Sequence, residues 1–329
     1  MSAKTTTDRE WTAGRIAQHY GIFIALLLVC LTLAIVSDNF LTTRNILNVL
    51  RQTSINGILA IGMTFVILTR GIDLSVGSLV ALVGVVAASY ATTSPAGMIA
   101  GAPYPAIVAI AVGLAVGMGC GAVSGLIVAR FQVPAFVVTL GMLSAARGLT
   151  LLYSGGRPIP ALSDGFRWIG TGSIWGVPVP IFLFLGTFAV AHFVLTQTRF
   201  GRHIYAVGGN PHAAKVSGLP VARIRFSVYV ISGALAGLAG MVLAARTGSA
   251  LPQAGVAYEL DAIAAVVIGG TSFAGGVGRV SGTLIGALLI GVMNNGLDLM
   301  GVESYYQQVI KGVLIVAAVM LDRSRNRQD

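Results

Sequence analysis

An all-α, polytopic membrane protein of about ten helical crossings is what this 329-residue sequence predicts. Three observations carry that expectation. Hydrophobic residues make up 55% of the chain and charged ones only 10%, and the apolar residues gather in long runs rather than in the short stripes of soluble domains. Several runs approach the roughly 20 residues that a helix needs to cross a hydrocarbon core about 30 Å thick. The runs are also continuous, as from Ile107 to Val128 and from Phe226 to Ala245, without the ten-residue alternation of a transmembrane β-barrel. No water is at hand in the bilayer core, so each backbone N–H and C=O must be paired within its own segment, as a helix does.

In chain order the predicted crossings lie near Tyr20 to Val36, Ile46 to Leu68, Leu74 to Tyr90, Ala106 to Val128 and Val133 to Leu152. They continue near Val177 to Leu195, Ile224 to Ala245, Tyr258 to Ile268, Ser281 to Leu297 and Tyr305 to Leu321. The eighth is short for a full crossing and runs into a glycine-rich stretch. Residues 1–19 are polar and mixed in charge, and the first run ends in Ser37-Asp38-Asn39 with no small-residue cleavage site. An uncleaved first crossing is therefore expected over a removed signal peptide. The organisation is an N-terminal segment over 1–19, one transmembrane domain over 20–322 with a long loop at 196–223, and a tail over 323–329.

The net charge of +10 has an explanation in membrane orientation, because loops kept in the cytoplasm hold most of the Lys and Arg. With ten crossings both ends share one side. That side collects Lys4, Arg9, Arg15, Arg70, Arg130, Arg199, Arg202, Lys215, Arg223, Arg225, Arg279, Arg323, Arg325 and Arg327. The other receives only Arg44, Arg51, Arg147, Arg157, Arg167 and Arg246, which predicts both termini in the cytoplasm. No basic stripe with interleaved aromatics points to nucleic acid. Cys30 and Cys120 read as small buried apolar residues, and His19, His192, His203 and His212 are too scattered for a metal site.

The loop at 196–223 holds the clearest local signal. Asn210 is a good N-cap, Pro211 suits the first helical position, Ala213, Ala214 and Lys215 favour helix, and Gly218 followed by Pro220 ends it. Those residues specify about two helical turns outside the membrane, marginal alone and dependent on packing. One reading is a positively charged anchor. The other is a coupling helix seated in a cleft of a cytoplasmic ATPase.

At this point the sequence resembles a known family. TRFGRHIYAVGGNPHAAKVSGLPVARIR, from Thr198, is similar to the cytoplasmic signature loop of the ribose-type ABC permeases, which share a superfamily with the branched-chain amino acid permeases. ILTRGIDLSVGSLVAL, from Ile67, YELDAIAAVVIGGTSFAGGVGRVSGTLIGALL, from Tyr258, and NNGLDLMGVESYYQQVIKG, from Asn294, resemble other segments of that family. The likeness runs from about Phe40 onward and is greatest to the ribose permeases. It implies a type II importer-like fold and a homodimer formed with a second copy of the permease. It also implies a cytoplasmic ABC ATPase with two nucleotide-binding domains holding ATP and Mg, and a periplasmic sugar-binding protein. Carried over residue by residue, the ATPase-contacting surface comprises Gly201, Arg202, Gly209, Asn210, Ala213, Ala214, Ser217 and Gly218. Leu219-Pro220 stands where the family often has Ile and a polar or small residue.

An uncharged, hydroxyl-rich sugar needs hydrogen-bonding groups along its path, and polar residues inside a membrane usually face a bundle interior or cavity. Asn294, Asn295, Asp298, Gln307, Gln308 and Lys311 are the pathway candidates. Asn294 and Asp298 share a helical face, as do Gln307 and Lys311. Lys311 is deep enough to snorkel, line water or pair with a residue such as Asp298. Interhelical hydrogen bonding is the plainer reading of the asparagines. Glycine interrupts the chain over 71–77 and 269–282, which fits either close helix packing or helices broken beside a substrate route, and no internal repeat stands out. Asp73 is expected at the cytoplasmic edge, capping the third crossing or transmitting ATPase motion. Glu259 and Asp261 are expected on the outer side, capping the eighth or meeting the binding protein.

The chain has no phosphate-binding loop, and Gly276-Val277-Gly278 mimics a nucleotide fingerprint only loosely. No nucleophile, base and orienter triplet stands out, so energy is expected from a separate ATPase and no cofactor from this chain. The rival is an ion-coupled secondary sugar transporter, against which the carboxylates' predicted positions near span ends count. An ion channel would want a filter or charged ring.

Overall fold

The structure, a computed structural model, describes residues 13–95, 97 and 101–325. Lys4, Arg9 and Arg327 of the charge distribution lie outside them, as do most of the N-terminal segment and the end of the tail. Each predicted crossing contains a helix: α1 (Ala13–Val36), α2 (Thr43–Leu68), α3 (Val76–Ala91), α4 (Ala106–Phe131) and α5 (Ala135–Ser154). A short α6 (Asp164–Thr171) and a two-residue hairpin of β1 (Ser173–Ile174) and β2 (Val177–Pro178) follow. Then come α7 (Val179–Gln197), α8 (Arg199–Gly209), α9 (Pro211–Val216), α10 (Val221–Thr247), α11 (Tyr258–Ile268), α12 (Val280–Leu299) and α13 (Ser304–Arg325). By length and composition six of these, α2, α4, α5, α7, α10 and α12, can cross a membrane.

The eighth crossing is corrected by this geometry. At 1.5 Å per residue α11 is only about 16 Å long, half a bilayer. The chain reaches its start by turning back into the bundle after α10. Gly255 lies so close to Gly77 and Val80 at the beginning of α3 that a Cβ on it would run into the Gly77 carbonyl. Arg147 of α5 holds this returning segment by donating to the carbonyls of Pro252 (2.6 Å) and Ala254 (3.0 Å).

Small residues set the helix spacing. Gly113, Gly117, Gly121 and Gly125 recur every four residues along one face of α4, and a Cβ on Gly117 would strike the Gly233 carbonyl of α10 while one on Gly121 would strike that of Tyr229. Without a hydrophobic drive between helices in lipid, this backbone approach gains the dispersion contacts that hold them. It also explains why α2, α3, α10 and α11 form the buried centre while α1, α5 and α7 show apolar side chains outward.

Two shorter helices pack among the long ones. The 16-residue α3, about 24 Å long, lies against α10, α4 and α5, and half-length α11 lies against α2, α12 and α13. The longer partners pair correspondingly, α4 with α10 and α12 with α2.

Candidate functional site

The loop at 196–223 folds as its residues specify, and with more structure than predicted. Asn210 Oδ1 accepts from the N–H groups of His212 (3.1 Å) and Ala213 (3.0 Å), capping α9. Gly218 follows the helix at φ +80°, a conformation natural to glycine. Preceding it, α8 was not foreseen; Thr198 caps it, accepting from Gly201 N–H at 3.1 Å, and Ile204 and Val207 bury its inner face.

Of the residues carried over as a contact surface, Arg202, Gly209, Asn210, Ala213, Ser217 and Gly218 are exposed. Gly201 and Ala214 are not: Gly201 packs on the α7 backbone and Ala214 enters the apolar core, so neither is open to a partner. Val216 stands out instead, an apolar side chain 75% exposed at the end of α9.

Beneath this projection lies a seam of backbone contacts. Arg70, at φ +64° just past α2, donates from Nε to the Gly208 carbonyl (2.6 Å) and from Nη2 to that of Gly209. Gly276 N–H donates to the Leu68 carbonyl (2.9 Å) and Tyr205 Oη to the Gly278 carbonyl (3.0 Å). Burial pushes the Tyr205 phenol above its ordinary range, with the Arg279 guanidinium opposing, so it remains a neutral donor. The two glycine-rich stretches therefore adjoin the α8–α9 projection. Sequence reasoning counted Arg70 only as an orienting charge; the Arg70-Gly71 step after an apolar run was the available signal.

Asp73 does not lie at the membrane edge. Ser232 Oγ donates to its Oδ2 at 2.8 Å, and Ser232 is about 16 Å along α10, so the carboxylate is deep in the bundle and 1% exposed. Nor is it the N-cap of α3, a position held by Ser75; its Oδ1 accepts from Ser75 N–H (3.1 Å) and Oγ (2.6 Å). Glu259 and Asp261 are also displaced inward from their predicted place. Glu259 is half-buried against Gly77, and Asp261 is buried and paired with Lys311 Nζ at 2.9 Å, out of reach of a docking protein.

The pathway candidates are largely used up in helix–helix bonds. Asn295 and Asn45 exchange two amide hydrogen bonds of 2.9 Å, and Gln307 Nε2 donates to Asp298 Oδ1 at 2.8 Å. Asp298 is thus Gln307's partner, not that of Lys311. Gln308 is exposed, and Asn294 is buried with its Oδ1 unpartnered.

With this geometry in view, the comparisons with known proteins decide the family. The family described as branched-chain amino acid transport system / permease component matches residues 45–319. The chain belongs to that permease family. It is similar to the ribose import permease protein of Escherichia coli (strain K12), 48% identical over 99% of this chain and 100% of that protein. The D-allose transport system permease protein of the same organism is 42% identical over 92% and 91%. The L-arabinose ABC transporter permease protein of Azospirillum brasilense is 37% identical over 94% and 88%. No solved structure matches the chain. Within the permease family match fall α3, α11, the seam and α9.

Proposed function

We propose that this chain is the membrane-spanning permease subunit of an ABC importer that carries ribose or a closely similar monosaccharide across the bacterial inner membrane. It works with a second copy of itself and a periplasmic sugar-binding protein. Mg-ATP is hydrolysed in a separate cytoplasmic ATPase with two nucleotide-binding domains, and this chain supplies no ATPase site. Both termini and the α8–α9 face lie in the cytoplasm, in keeping with Arg70, Arg199, Arg202, Lys215, Arg223 and Arg279 around that face.

The observation that carries the reading is α9: a capped six-residue helix, too short to stand alone, projecting with Val216 bare to solvent. An apolar tip of this kind fits a protein cleft better than water. The relatives' names, ribose import permease and ABC transporter permease, support the substrate class and the power source.

An ion-coupled carrier keeps one argument in its favour. Asp73 and Asp261 lie deep in the bundle, so the expectation that carboxylates sit at span ends does not hold. Asp261, however, is already neutralised by Lys311. The test is ribose uptake in sealed vesicles, which is expected to need the ATPase and ATP and to survive collapse of proton and sodium gradients. Uptake by the purified chain on an ion gradient alone would favour the carrier.

A further inference from the structure

We propose that Arg70 is the tie through which movement of the α8–α9 projection reaches the membrane interior. This rests on the coupling role given to α9 above and names the residue that would pass the movement on. Gly208 and Gly209 end α8, where helix carbonyls have no further turn to accept from. Arg70 satisfies both with one planar fork, which fixes position and orientation together, and its cation suits the negative end of the helix dipole. The next residue after Gly209 is Asn210, the cap of α9. Movement of α9 therefore acts first on the two carbonyls that Arg70 holds.

From Arg70 the path inward is short. Its own N–H donates to the Ile67 carbonyl (2.9 Å) and that of Gly71 to Val66 (3.0 Å), locking it to the end of α2. Three residues on, Asp73 accepts from Ser232 of α10 and from Ser75, the residue that caps α3. A second limb leaves the same point for the loop before α12, through Gly276 to Leu68 and Gly278 to Tyr205. One limb ends at the start of α3 and the other in the loop that joins α11 to α12. Loose packing would absorb a displacement, but here a Cβ on Gly208 would strike the Leu68 carbonyl and one on Gly275 the Arg70 side chain. The guanidinium acts by position and touches no substrate.

The test uses the full chain assembled with its ATPase and sugar-binding protein in vesicles and reads ribose transported per ATP hydrolysed. Arg70→Ala is expected to lower that ratio by about tenfold, since two charge-assisted bonds go. Arg70→Lys keeps the cation without the fork and is expected to fall between the two. A wild-type ratio in Arg70→Ala overturns the proposal. Should that variant fail to assemble, Arg70→Lys decides, and a wild-type ratio there overturns it equally. Val216→Asp, run alongside, reports on the coupling reading itself. If Val216→Asp loses the ATPase while Arg70→Ala keeps its ratio, only the tie is wrong; if Val216→Asp still binds the ATPase and transports normally, both fall.

Discussion

Lys311 Nζ meets Asp261 Oδ2 at 2.9 Å, an ion pair inside the bundle that joins half-length α11 to the C-terminal α13. Asn56 of α2 approaches the same oxygen at 3.4 Å, so three helices share one carboxylate. Removing one member of a buried pair leaves a stranded charge, which costs about 3–5 kcal/mol. Lys311→Met is therefore expected to lower the unfolding midpoint of the detergent-solubilised protein markedly. Adding Asp261→Asn should restore most of the loss, and a double variant no better than Lys311→Met alone would contradict the pairing.

The amide exchange between Asn45 and Asn295 ties α2 to α12 in the same manner without charge. Asn295→Ala is expected to cost about 1 kcal/mol, in the range of interhelical hydrogen bonds in membranes. Asn45→Ala should cost about the same, with the double variant well short of the sum, as residues in one network are non-additive. Melting of the three variants measures it.

Along α4, position decides tolerance. Gly117→Leu drives a side chain into the α10 backbone and is expected to destabilise by about 1–3 kcal/mol or to abolish insertion. Gly119→Leu, two residues away, meets nothing within 4 Å and is expected to be neutral. Expression yield and melting of the pair check it.

Asn210→Ala removes the cap of α9 at about 1 kcal/mol, a large share for six residues. Global melting should hardly move, since α9 contributes only Ala214 to the apolar core. Amide exchange over 212–217 is expected to quicken by about fivefold and sugar uptake to fall. Unchanged exchange would show that packing, not the cap, holds α9.

The ten helices were legible because burial in lipid writes itself as uninterrupted apolar residues, as in Ile107 to Val128. α9 was legible because Asn210, Pro211 and Gly218 act locally. Depth was not. Asp73 and Glu259 look like loop residues by sequence, since a chain that turns back inside a bundle carries the same glycines and caps as one that turns at a surface. Arg70 was missed for a related reason: its partners are the carbonyls of Gly208 and Gly209, far along the chain, and carbonyls leave no mark on residue type. Lys311 was read as free to snorkel, to line water or to pair with a residue such as Asp298, because nothing in the sequence brings Asp261, fifty residues away, beside it.

At 1.5 Å per residue, the 27 residues of α10 reach about 40 Å, and the 26 of α2 and of α4 nearly as far, against a hydrocarbon slab of about 30 Å. Because α10 is locked to both neighbours, the three must lean together, and lipid chain length becomes a lever on the inclination of the whole assembly.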